Sequence, residues 1–153
     1  MNASSLLAKI AAAMHKVRLE AVMVGNAAAA LHGSPVTTVD FDFVFRETAV
    51  NLKKLRALAD HFKGEIVRPY YPASALYRLT NPRIGLQLDF MPRIEGIRSF
   101  AGLRSRATAV RFGSHNILLA DLRDIIKSKR AAGRPQDKAV LRLLEITLEE
   151  KEK

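Results

Sequence analysis

From Val39 to Phe45 every second residue is a large apolar side chain, and the residues at 40 and 42 between them are aspartates. Period-two alternation marks a half-buried β-strand. The expected strand, Thr38 to Phe45, turns Val39, Phe41, Phe43 and Phe45 one way and Asp40, Asp42 and Val44 the other. Two carboxylates a few ångströms apart on one face repel unless positive charge sits between them. A hard divalent cation supplies that charge, and oxygen ligands without nearby His or Cys favour Mg²⁺ or Mn²⁺ over zinc. The stretch from Ile84 to Met91 repeats the pattern with one acid: Leu86, Leu88 and Phe90 share a face, and Asp89 lies opposite with Gln87 and Met91. If the two strands are neighbours, three carboxylates converge in a two-metal site suited to phosphoryl or nucleotidyl transfer. The competing reading leaves all three acids on the solvent face of a sheet.

Two other segments carry chemistry. Ala21 to Val24 is a short apolar run, expected to be a buried strand, and Gly25-Asn26 leads from it into the helix-forming run Ala27 to Leu31. A strand that turns through Gly into a helix presents free backbone N–H groups, so Gly25 and Asn26 form a phosphate cradle or simply a turn. Near the C-terminus, Lys129 follows Leu122, Ile125 and Ile126 at helical spacing, and Asp137 precedes Leu141, Leu144 and Leu148 in the same way. Both side chains therefore face inward across the turn at Gly133-Arg134-Pro135. They are either an ion pair fixing the angle between two helices, or a lysine that reaches a triphosphate or the metal site, oriented by Asp137.

The remaining periodicity predicts a first helix capped by Ser4 or Ser5, a helix from Glu47 to Phe62 and a strand from Glu65 to Arg68. A hairpin runs from Ala75 to Thr80, turns at Asn81-Pro82-Arg83 and returns to Met91. Residues 92–105 read as irregular and basic, Thr108 to Leu119 as strand pieces around Gly113, and 120–132 and 135–150 as closing helices. With no repeat and no linker, residues 1–153 read as one α/β domain. The four histidines show no ligand spacing, and no Ser sits in a nucleophile motif. Tyr70-Tyr71, between two prolines, reads as a loop packed on the sheet or as a stacking surface for a base.

The chain carries 25 Lys and Arg against 15 Asp and Glu, and the surplus is uneven. Residues 1–50 hold four bases and four acids, residues 51–100 nine and four, and residues 101–153 twelve and seven. Such a surplus attracts polyanions, so nucleotides and nucleic acids are the first partners to consider. No apolar run approaches the ~20 residues of a membrane helix. The absence of cysteine excludes disulfides and thiol chemistry, and the cytoplasm is the expected compartment.

The run GNAAAALHGSPVTTVDFDFVF resembles the first motif of the nucleotidyltransferase superfamily, the DNA polymerase beta-like fold, in which a Gly turn opens a helix and a T-x-D-x-D strand follows. LQLDFM resembles the strand of the third carboxylate, and DIIKSKRAAGRPQD the K-x-x-A-x-R-x-x-D signature of small bacterial relatives, including AbiEii-type toxins. The resemblance covers about residues 20 to 145. It implies a mixed sheet with helices packed on one side and a C-terminal helical pair. It also implies Mg²⁺ (or Mn²⁺) on Asp40, Asp42 and Asp89, with Gly25, Asn26 and Thr38 on the NTP and Lys129 among the catalytic residues. The implied reaction moves a nucleoside monophosphate from an NTP to an acceptor hydroxyl, RNA or tRNA in the toxin-like case, where an antitoxin protein is a further partner. Asn26 stands where the motif has Gly or Ser, and Val36 where it often has Arg. Those departures support an alternative, a catalytically inactive module of the same fold that binds nucleic acid or a protein partner.

Overall fold

The computed structural model describes residues 3–36 and 40–153. The first helix, α1 (Ala3–Val17), buries Leu7, Ile10, Ala11 and Met14 along one stripe, as their spacing of three and four requires. Ser4 and Ser5, expected to cap it, lie inside this helix. Then come β1 (Ala21–Val24), α2 (Gly25–Leu31), β2 (Phe41–Phe45), α3 (Ala49–His61) and β3 (Glu65–Val67). A hairpin of β4 (Tyr77–Asn81) and β5 (Leu86–Met91) is closed by a 3₁₀ turn over Pro82–Ile84. The chain ends in α4 (Phe100–Arg106), the hairpin β6 (Thr108–Phe112) and β7 (His115–Leu119), then α5 (Leu122–Ala132) and α6 (Pro135–Lys151).

The strands form one mixed sheet in the order β3-β4-β5-β2-β1-β7-β6. β2 runs parallel to β5 and β1 to β7; the other pairs are antiparallel. One face is apolar throughout: Met23, Phe43, Phe45, Leu79, Leu88, Phe90 and Leu119 are each at most 1% exposed. Burial of such side chains stabilises the fold by about 1.5–3 kcal/mol each. Phe43 stacks on Phe90 at 5.1 Å, and Phe45 meets Tyr77 edge-on at 5.5 Å. α1 packs on β6, β7 and α3, and α3 packs on β3. Buried Asn51 pins α3, donating to the carbonyls of Glu20 and Arg46 and accepting from the Glu20 N–H.

On the opposite face the registers β4–β5, β5–β2 and β2–β1 align Arg78, Asp89, Asp42 and Val24 in one row across four strands. Val44, expected on the same face as Asp40 and Asp42, is 2% exposed, and residues of the segment from Pro92 to Phe100 line a small cavity with it. That segment differs from its expected irregularity at its far end. Ser99 caps α4 by accepting from the Gly102 N–H, and Leu103 is wholly buried.

The closing helices follow the sequence closely. Asp121 caps α5, Gly133 ends it at φ +63° in the left-handed region that glycine tolerates, and Pro135 opens α6. The C-terminal half of α6 is tied back to the end of α2. The Ser34 hydroxyl donates to Thr147 at 2.9 Å, and His32 Nδ1 lies 2.9 Å from Lys151 Nζ while its Nε2 lies 2.7 Å from the Ala120 carbonyl. His32 thus caps a helix and bridges elements.

Candidate active site

A cleft of about 430 Å³ opens where α5 and α6 lean over the acidic face of the sheet. Its floor carries Gly25, Asn26, Asp40 and Asp42, and its roof Lys129, Arg134 and Asp137. Thr38, expected on the nucleotide, lies outside the described residues. Through Met91, Ile94, Ser128, Ala132 and Arg134 the cleft runs into a larger groove of about 840 Å³ bounded by Ser74 to Leu76 and Arg93 to Gly96. Tyr70 and Tyr71 stand beyond it, 84% and 64% exposed, so this loop does not bury them against the sheet. Arg68 stacks on Tyr71 at 4.5 Å and on Tyr77 at 3.7 Å.

The floor is short of positive charge. The Asp42 carboxyl is pushed up to about 6, first by burial, then by the charges of Asp89 and Asp40; Lys129 and Arg78 pull the other way. Gly25 adopts φ +71°, and a Cβ built there would stand 2.8 Å from Asp42 Oδ2, so the backbone approaches the acid as only glycine allows. Asn26 Oδ1 is buried without a hydrogen-bond partner. An undercompensated carboxylate beside an unpaired amide oxygen is a donor set that a hard cation satisfies. α2 is only seven residues long, so its macrodipole adds little to the cradle.

Asp89 is placed beside Asp42 on the neighbouring parallel strand, as convergence of the acids requires. Its oxygens are engaged elsewhere: Arg78 Nε donates to Oδ1 at 2.8 Å and Nη2 to Oδ2 at 3.2 Å. Among the described residues, no three acidic or histidine side chains come together as a ready metal cage.

The roof is the reverse. Asp137, 1% exposed, takes Arg134 Nε on Oδ2 at 2.7 Å and Nη2 on Oδ1 at 3.2 Å, and Lys129 Nζ lies 3.7 Å from Oδ1. Its carboxyl is held below the usual range by the Arg134 hydrogen bonds, against burial, with Lys129 helping. Lys129 is lowered chiefly by burial, and Asp137 opposes that shift. Two cations on one acid leave a positive surplus facing the acids of the floor.

Two residues of this arrangement have no role assigned to them from the sequence. Arg134 is the arginine of the K-x-x-A-x-R-x-x-D signature, but spacing marks only Lys129 and Asp137 as facing inward. Arg78 lies within the expected hairpin strand Ala75 to Thr80, and nothing in that segment sets it apart.

No protein family matches the sequence, and no curated protein does. The fold does match solved structures. The antibiotic-resistance factor ANT(2″)-Ia in solution superposes with a TM-score of 0.65 at 17% identity, covering 95% of this chain and 83% of that one. Its crystal structure with adenylyl-2″-tobramycin gives 0.64 at 18% identity, covering 95% and 88%. A Thermotoga maritima protein assigned as a nucleotidyltransferase gives 0.65 at 21% identity, covering 90% and 89%. The chain has the mixed α/β fold of the nucleotidyltransferases.

Proposed function

We propose that the chain transfers a nucleoside monophosphate from an NTP to an acceptor hydroxyl and releases pyrophosphate. The observation that supports this best is the opposition within one cleft: undercompensated Asp42, with Asp40 beside it, below, and Lys129 and Arg134 above. A triphosphate with a divalent cation fits between such walls, its oxygens toward the roof and its metal toward the floor. Asp40 and Asp42 would hold Mg²⁺ or Mn²⁺, with Gly25 and Asn26 beside the phosphates. When bound, the cation supplies Lewis-acid stabilisation of charge on the transferring phosphoryl group. Lys129 and Arg134 neutralise the departing pyrophosphate, and Asp137 aims them. Asp89, fixed by Arg78, accepts a hydrogen bond from the acceptor hydroxyl and directs its oxygen at the α-phosphorus. The new P–O bond forms as the bond to the bridging oxygen of pyrophosphate breaks. The hydroxyl proton goes to water, since a carboxylate forked by a guanidinium is a weak base.

The cationic surplus favours a polyanionic acceptor such as RNA over a neutral one. A second reading, a binding module of the same fold that does not transfer, draws on the Arg78 fork over Asp89 and on Asn26 in the turn. Calorimetric titration of the four NTPs, with and without Mg²⁺, on the wild type and on Asp42→Asn separates the two. Metal-dependent binding lost in the variant supports transfer. No NTP binding at low salt, with nucleic-acid binding indifferent to the substitution, leaves the module.

A further inference from the structure

The Arg78–Asp89 fork bears on how the floor is charged. Arg78 lies directly opposite Asp89 in the β4–β5 register, and Asp89 directly opposite Asp42 in the β5–β2 register. Neighbouring strands stand about 4.8 Å apart, so the guanidinium comes from the strand on the far side of Asp89 from Asp42. It meets the carboxylate through two hydrogen bonds, one to each oxygen, from a side chain only 32% exposed. A two-metal site needs ions about 3.5–4 Å apart, clamping the attacking and the leaving oxygens. Here Asp89 already shares both oxygens with a cation that cannot dissociate.

We propose that Arg78 takes the place of a second divalent cation: the site carries one metal ion, on Asp40 and Asp42, and a permanent guanidinium on Asp89. The inference rests on the nucleotidyl-transfer reading and adds a stoichiometry to it. Arg78 is in these terms a positioning residue, which acts through Asp89 by fixing its carboxylate and supplying charge on the acceptor side. The arrangement makes Asp89 independent of metal concentration, because its cation is part of the chain.

Counting Mn²⁺ by electron paramagnetic resonance tests this without requiring catalysis. Inorganic tripolyphosphate serves as a triphosphate that imposes no base preference. The wild type is expected to bind one Mn²⁺ per chain, with the spectrum of an isolated ion. Arg78→Gln keeps hydrogen bonding to Asp89 but removes the charge, and is expected to bind two, with the broadening of a spin-coupled pair. Arg78→Lys, which restores a positive charge without the fork, returns the count to one. Two coupled ions in the wild type would overturn the proposal while leaving nucleotidyl transfer intact, and that arm needs no variant to fold. One ion in both wild type and folded Arg78→Gln would also overturn it. No Mn²⁺ in the wild type would remove the metal-dependent reading itself, and this inference with it.

Discussion

Two aspartates within one cleft are driven in opposite directions. Asp137 on the roof is buried and acidic; Asp42 on the floor is half-buried, and its carboxyl is raised to about 6. Burial raises both, so burial does not explain the contrast. Asp137 has a bidentate arginine and a lysine for company, whereas the groups that act most on Asp42, after burial, are two other carboxylates. A satisfied buried acid is structural, and an unsatisfied one costs stability until a ligand compensates it. The roof is built to hold its shape and the floor to accept a cation.

The contrast breaks most sharply if the two acids are neutralised separately. Asp42→Asn is expected to abolish metal-dependent NTP binding in calorimetry and, in the absence of metal, to raise stability at pH 7. A carboxyl raised from 3.8 to about 6 binds its proton more tightly when folded. Its contribution is therefore most favourable below pH 3.8, falls as the pH rises through 3.8 to 6, and is lost above that. The loss amounts to about 3 kcal/mol at most, which the amide avoids. Metal competes with the same proton. Mn²⁺ affinity should then drop about tenfold per pH unit below 6 and stay flat above it. A flat profile from pH 5 to 7, or an Asp42→Asn protein that melts earlier than the wild type, would show that Asp42 is as satisfied as Asp137.

Asp137→Ala is the converse test, expected to lower stability by about 2 kcal/mol in urea denaturation. The figure lies below the range for a wholly buried pair because Arg134 stays in contact with water. The depressed Asp137 carboxyl contributes stability that is present above its unfolded value of 3.8 and lost as the pH falls through its lower folded value. Wild type and Asp137→Ala should therefore converge in stability in strong acid, while Asp42→Asn and wild type converge there from the other side.

How much of this contrast was legible in the sequence depends on whether the information is local. Asp42 on the acidic face, the inward setting of Lys129 and of Asp137 and the Gly133-Pro135 break between helices follow from local spacing, and Asp40 lies just ahead of the strand that carries Asp42. Arg78 required strand register. A turn at 81–83 sets Asp89 opposite Ala75, but the 3₁₀ turn at Pro82–Ile84 and Gly85 at φ +66° shift the pairing to Arg78. Val44 follows the alternation and is still buried, beside a cavity that it shares with Pro92 to Phe100 from a distant part of the chain. α4 was hidden by its seven residues and three basic or serine positions, too few turns to show a period. The extent of charge compensation, the property that separates the two aspartates, is a sum over four elements and has no local signature.

Gly25 sharpens the contrast from the backbone side. Gly25→Ala meets two obstacles, the left-handed φ of +71° and a Cβ 2.8 Å from Asp42 Oδ2. The expected cost is about 1–3 kcal/mol, with NTP binding weakened because the floor must shift to admit the methyl. Combined with Asp42→Asn, the substitution should lose less stability than alone, since the atom it crowds no longer carries charge; strict additivity in the double variant would place the strain in the backbone.

The smallest effect comes from the tie between roof and floor. Ser34 is 5% exposed, and its hydroxyl donates to Thr147 Oγ1, which itself donates to the Leu143 carbonyl within α6. Ser34→Ala removes one hydrogen bond and leaves Thr147 its helical acceptor, so about 1 kcal/mol is expected. The lost contact lies in the C-terminal half of α6, while the cations of the cleft are fixed at its N-terminal turn by Asp137. NTP affinity should stay unchanged as the melting temperature falls. If affinity falls with it, α6 moves as one lever and the roof takes its geometry from the far tie. If only stability falls, the Lys129–Asp137–Arg134 cluster sets that geometry by itself, and the roof is rigid because its charges are paired.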